Sequence, residues 1–259
     1  MRIRVAAATT LLLAAAGLSA QEYKSLVSVA TFKVPPSKEG AFVEKGKAFV
    51  PVLDKLMAAG TVLAYGIDID ILHVPGENNV AFWVMVPNYD AAEKEDQAVD
   101  GFLEANPDLL RDLSSLTDMA THRDLLIRVR EEGHRSVPAG AKPVGDFDTV
   151  RVKPGRGDEF MDLFRKYDKP VLEKLVADGV IYAYELDSEA VHTMEPGLMW
   201  TILTMPGLGA KDKVNAAFAE SEKKIPEGER NMIEKVYSDI VVPGSHRDSL
   251  AVSQIFKQK

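Results

Sequence analysis

Pro51-Val-Leu-Asp-Lys-Leu-Met-Ala-Ala-Gly60 recurs as Pro170-Val-Leu-Glu-Lys-Leu-Val-Ala-Asp-Gly179, at an offset of 119 residues. The match continues without a gap: Ala64-Tyr65 meets Ala183-Tyr184, Asp68 meets Asp187, and His73 meets His192. Upstream, Pro36 and Phe42 meet Pro154 and Phe160 at an offset of 118. Downstream, Trp83 meets Trp200 at 117, and His122-Arg123-Asp124 meets His246-Arg247-Asp248 at 124. Offsets that drift this little, in unchanged order, describe a tandem duplication with small loop changes.

Each copy reads in the same element order. Residues 27–34 are rich in β-branched side chains and stop at Pro35-Pro36, the pattern of a strand. Residues 37–59 read as a helix stopped by Gly60, with Phe42, Phe49, Leu53 and Leu56 on one stripe. Pro51 removes a backbone donor inside it, so a kink is expected there and again at Pro170. A long strand at 61–74, a turn at Pro75-Gly76, a strand at 80–86, a helix at 90–105, a short helix after Pro107 and a strand at 121–130 complete the copy. The second copy repeats this with strands near 147–153, 180–193, 198–205 and 246–256. The division is therefore 25–130 for the first repeat, 131–145 for an exposed linker and 146–256 for the second repeat.

The order βαββαβ is the ferredoxin-like unit. In the strand at 80–86, Val80, Phe82, Val84 and Val86 share one face, and Ala81, Trp83 and Met85 the other. Both faces are apolar, so the sheet must be covered on both sides. The expected fold class is α+β: two fused ferredoxin-like repeats that cover each other as one pseudo-symmetric barrel. A fused pair needs no partner chain for closure, so a monomer suffices.

The opening Val152-Lys-Pro-Gly-Arg-Gly-Asp-Glu-Phe160, followed by a helix with Pro170 and a long strand, resembles the dimeric α+β barrel superfamily, most closely its NIPSNAP-like and antibiotic-biosynthesis-monooxygenase-like members. The first repeat departs from it, with Val-Pro-Pro-Ser at 34–37. The resemblance implies a barrel, and a range of roles from cofactor-free monooxygenases to haem-dependent enzymes, so it does not choose a reaction.

The first 20 residues, with Arg2 and Arg4 ahead of a short apolar run ending in Ser19-Ala20, have the layout of a secretory signal peptide. Its removal leaves 29 basic against 39 acidic residues, a net charge of −10. The expected product is exported, periplasmic or secreted, and soluble, with no membrane anchor once the signal is cleaved. No basic face suggests nucleic acid. The absence of cysteine excludes disulfides, a lipoprotein anchor and thiol catalysis.

No phosphate loop, HExxH or GxSxG is present, so no cofactor is expected, and no two histidines are spaced as a local metal pair. The candidate ligand-binding residues are the repeat-matched ones: Tyr65, Tyr184, Trp83 and Trp200 as walls of an aromatic cavity, and His73, His192, His122 and His246 at its mouth. Arg123 and Arg247 are candidates to pair a ligand carboxylate. Against this stand simple core packing for the aromatics and Arg–Asp pairing at strand entries for the arginines. Asp68 and Asp187 become a general base only if burial raises their pKa. His134 falls in the linker and is expected to face water. The leading function is binding of a small apolar or aromatic ligand in the barrel. The alternatives are a cofactor-independent monooxygenase- or isomerase-like enzyme with a His or Asp base, and a haem or metal protein.

Overall fold

The computed structural model describes residues 23–191 and 196–259, so the signal-like segment and His192 lie outside the described residues. Eight strands close into one antiparallel barrel in the order β1-β3-β2-β8-β5-β7-β6-β4. The first repeat supplies β1 (Ser25–Phe32), β2 (Ala64–Asp70), β3 (Val80–Val86) and β4 (Arg123–His134); the second supplies β5 (Val144–Arg151), β6 (Ala183–Glu189), β7 (Leu198–Met205) and β8 (Arg247–Gln258). Within each repeat the last strand flanks the first. Between repeats, β2 pairs with β8 and β4 with β6. Each repeat thus closes the open edges of the other, which removes the unpaired ladder groups a lone sheet would expose.

Helices pack on the outside. In the first repeat the helical run breaks just before its proline: α1 (Glu39–Gly46), a 3₁₀ turn at Lys47–Phe49, then α2 (Val50–Ala58). The second repeat has α5 (Gly157–Leu163), a π turn at Phe164–Asp168 and α6 (Lys169–Ala177). Pro51 and Pro170 both fall in the first turn of the following helix, where a missing N–H costs nothing. Gly60 and Gly179 end these helices at φ of 81° and 72°, a conformation that a side chain would strain. The remaining helices are α3 (Tyr89–Ala105), α4 (Pro107–Leu116), α7 (Ala210–Glu222) and α8 (Glu227–Ile240). Outward strand residues such as Leu26, Tyr65 and Val84 meet Phe49 and Leu53 in one helix-side core, while Tyr184, Leu186 and Leu203 meet Phe164 and Leu172 in its counterpart. A separate cluster of Val27, Ile127 and Val129 with Trp83 and Met85 packs among the inward positions.

Two sequence expectations need correction. The strand expected over 61–74 ends at Asp70, because its partner β3 begins at Val80, opposite Ile69, and residues beyond lack a ladder. The linker expected over 131–145 shortens to 135–143. β4 runs on to His134, pairing Glu131 through His134 with Leu186 through Ala183, and β5 starts at Val144. That extension pairs with the other repeat, and local sequence carries no sign of it. The two repeats agree on which face of the last strand points inward. Leu125 and Ile127 are equivalent to Ser249 and Ala251, and the bulges fall at Arg130 and Gln254.

Candidate functional site

The barrel encloses a cavity of about 440 Å³, within the size range of small-molecule sites. Strand alternation decides what reaches it. Ala64, Asp68 and Asp70 of β2 line it while Tyr65, Ile67 and Ile69 face the helices. On β6, Ala183, Glu185 and Asp187 line it while Leu186 faces the helices. Beyond the bulge in β4, Glu132 and His134 also turn inward.

The pairing register shows how far the two repeats have diverged inside the barrel. Tyr65 opposes Val84, and Tyr184 opposes Leu203, so Trp83 is equivalent to Ile202 and Trp200 to Ala81. The tryptophan match at offset 117 is therefore not an equivalence in space; the two indoles stand at different heights. Asp68 and Asp187 are true equivalents. Asp68 sits opposite Ser253 and accepts hydrogen bonds from Ser253 Oγ at 2.6 Å and from Trp83 Nε1 at 2.8 Å. Asp187 sits opposite Val129, and the position equivalent to Trp83 is Ile202. Both donors are lost. Asp187 is 1% exposed and its Oδ1 has no hydrogen-bond partner.

The next inward pair diverges as sharply. Gly66 opposes Phe256 in one repeat; its equivalent, Glu185, opposes Glu132 in the other. The absence of a side chain at Gly66 makes room for Trp83, whose ring lies 2.7 Å from where a Cβ would sit. Trp83 and Phe256 meet edge to face, with centroids 5.7 Å apart. One wall is thus aromatic and the pseudo-equivalent wall is acidic.

Burial pushes Asp68 up to about 6, against the two hydrogen bonds that lower it. Burial, with no donor to offset it, holds Asp187 well above the usual carboxylate range, and the neighbouring Glu185 and Glu132 push the same way. Glu185 is raised by burial and by Glu132. Asp70 rises to about 7, chiefly by burial, with His73 working against the rise. Burial thus makes these carboxyls harder to ionise than exposed ones, the property required of a poised acid–base group.

The sequence-predicted residues divide. Trp83 and Trp200 line the cavity. Tyr65 faces the helices and donates to Asp54 at 2.7 Å. Tyr184 borders the cavity, but its ring packs near Phe164 in the helix-side core, with no partner for its hydroxyl. The described members of the paired histidines stay out of the cavity. His73 sits in the β2–β3 connection, 3.0 Å from Glu39. His122 stacks on Phe32, a helix-side residue, at 4.7 Å. His246 bonds Asp148 at 3.2 Å, and with Asp148 and Asp248 forms an exposed trio whose ligand atoms lie within 4.8 Å of one another. Arg123 is exposed at the start of β4, and Arg247 donates to the carbonyls of Gly244 and His246. His134 is exposed, as expected, but it is the last residue of β4 and borders the cavity instead of lying in a linker. Sequence reasoning missed Glu132, Glu185, Ser253 and Phe256. The available signal was an acidic residue at an inward strand position, hidden for Glu132 by the misplaced linker.

Haem does not suit this interior. Five carboxylates, Asp68, Asp70, Glu132, Glu185 and Asp187, line it, and His134 is the one histidine among the described lining residues. The two propionates would add negative charge to an already acidic cavity.

No protein-family model matches the sequence, and no curated protein matches it. Solved structures do share its shape. A Fusobacterium nucleatum protein described as a candidate monooxygenase superposes with a TM-score of 0.63 at 12% identity, covering 92% of this chain and 95% of its own. An anthrone oxidase-like protein gives 0.56 at 13% identity, covering 92% and 94%. A mutant chlorite dismutase from Candidatus Nitrospira defluvii gives 0.50 at 8% identity, covering 90% and 92%. The fold these structures share is, in this chain, a closed eight-stranded antiparallel barrel built from two βαββαβ repeats.

Proposed function

We propose that this protein binds a small, flat, largely apolar molecule inside the barrel, between the Trp83–Phe256 wall and the carboxyls of the opposite wall. The observation that carries this reading is Asp187, buried against the cavity with an oxygen that no described residue satisfies. A buried polar atom without a partner costs about 1–3 kcal/mol, and a ligand group that bonds it recovers that cost. The signal-like layout of the first 20 residues supports a site of action outside the cytoplasm in this reading.

The test uses the chain's own reporters. Its two tryptophans both line the cavity, so indole emission reads occupancy directly. Titration with anthrone, a fused-ring ketone, should quench that emission saturably and raise the melting temperature. Unchanged emission and melting across small aromatic ketones and phenols would overturn the reading.

A second reading follows from the raised carboxyls. Asp187 or Glu185, once ionised in a water-poor site, takes a proton from an activated C–H of the bound ligand, the opening step of a cofactor-independent oxygenase or isomerase. Oxygen uptake or ligand isomerisation without added cofactor, lost in Asp187→Asn, supports it; binding with no turnover limits the protein to carriage or sensing.

A further inference from the structure

The acidic wall and the aromatic wall are the two halves of a single recognition pattern. Glu132 and Glu185 stand directly opposite each other on neighbouring strands, and Asp187 follows two positions along the same inward face. Like charges in a cross-strand pair repel, and among the described residues no side chain bonds either glutamate. Arg130 on the same strand reaches Ser188 Oγ, and Arg165 and Lys169, from the π turn and α6, both bond Glu131, which points away from the cavity into the helices. Lys259, the one basic side chain other than His134 among the described lining residues, carries its ammonium to Gly60, beside the first repeat.

We infer that the ligand of this cavity is an organic cation: a flat apolar or aromatic body that rests on Trp83 and Phe256, bearing an ammonium or amidinium group received by Glu132, Glu185 and Asp187. The inference rests on the proposed reading of the barrel interior as the ligand site, and it assigns the charge class that reading leaves open. Two independent features support it beyond the acids themselves. Asp187 is buried, faces the cavity and has an oxygen without a donor. The equivalent wall of the other repeat has replaced both glutamates, by Gly66 and Phe256, and so offers an indole face in place of charge. A cation gains from both walls at once, through charge-assisted hydrogen bonds on one side and the ring quadrupole on the other. An anion would meet five carboxylates.

The test is calorimetric titration of the full chain at pH 7.5 with three ligands of one shape: naphthylmethylammonium, naphthylmethanol and naphthoate. The ammonium should bind at least about tenfold more tightly than the alcohol, and naphthoate should give no measurable heat. Glu185→Gln and, separately, Glu132→Gln should each erode the preference for the ammonium while leaving alcohol binding within about twofold. Trp83→Leu should weaken both. Alcohol binding equal to or tighter than ammonium binding overturns the charge assignment and leaves the cavity as a site for neutral ligands. Absence of heat from all three, with no change in tryptophan emission, overturns both. A cation preference that survives both glutamine variants and Asp187→Asn also overturns the assignment, because the acidic wall then has no part in it.

Discussion

Trp83 donates its indole N–H to Asp68 at 2.8 Å, and the bond joins the aromatic wall to the one acid of the pair that the protein itself satisfies. Ser253 completes the arrangement from β8, 185 residues away in the chain. Removing the serine hydroxyl leaves Asp68 with an oxygen as poorly served as that of Asp187. Ser253→Ala should therefore cost about 1–3 kcal/mol, read as a lower midpoint in urea with unchanged slope. It should also raise the Asp68 pKa further, visible in the carboxyl titration by infrared or NMR.

Stability should depend on pH through Asp187. Its folded pKa lies above the unfolded value, so the folded state holds the proton more tightly. Its contribution is fully present below about pH 4 and is lost as pH rises through the folded pKa. Asp187→Asn cannot ionise. The variant should match the wild type at about pH 4 and exceed it at neutral pH. Denaturation midpoints across this range decide it, and a variant less stable than wild type at neutral pH would contradict the assignment of burial as the cause.

Gly66 makes room for Trp83. A methyl group there would meet the indole at 2.7 Å and the Ile255 carbonyl oxygen at 2.7 Å, and only the indole can yield. Gly66→Ala should cost about 1–3 kcal/mol and shift the tryptophan emission as the ring leaves its place against Phe256.

The paired histidines should be dispensable for ligand binding. His122→Asn gives up the stack on Phe32, worth roughly 0.5–1.5 kcal/mol, and His246→Asn breaks its bond to Asp148. Neither touches the cavity, so affinity measured by tryptophan quenching should stay within about twofold. A loss of binding in His246→Asn would move the functional site to the outer face, at the Asp148–His246–Asp248 trio.

Much of the fold is legible in one dimension because the determining signals are local. Pro51 and Pro170 mark helix breaks through a missing N–H, Gly60 and Gly179 mark helix ends through their φ, and alternation in 80–86 shows a sheet covered on both sides. The candidate site is legible only in part. Trp83, Trp200, Asp68 and Asp187 stand out as matched residues, but matching selected the histidines equally, and those serve the helix side or the connections. Repetition records descent, and descent preserves packing as readily as chemistry.

The amino-acid sequence alone determines the tandem repeat, the element order and therefore a barrel that one chain can close. Those follow from periodicity, turn residues and the match at offset 119, each a property of neighbours along the chain. Which side chains meet inside the barrel is decided by the tertiary structure. The bulges at Arg130 and Gln254 reset the inward face, and the β2–β8 and β4–β6 registers join residues from different repeats. Only that pairing gives Asp68 its serine, denies one to Asp187, and sets Glu132 against Glu185. A one-residue slip in either ladder would turn these side chains to the helices, so the chemistry of the cavity depends on a register that long-range contacts alone establish.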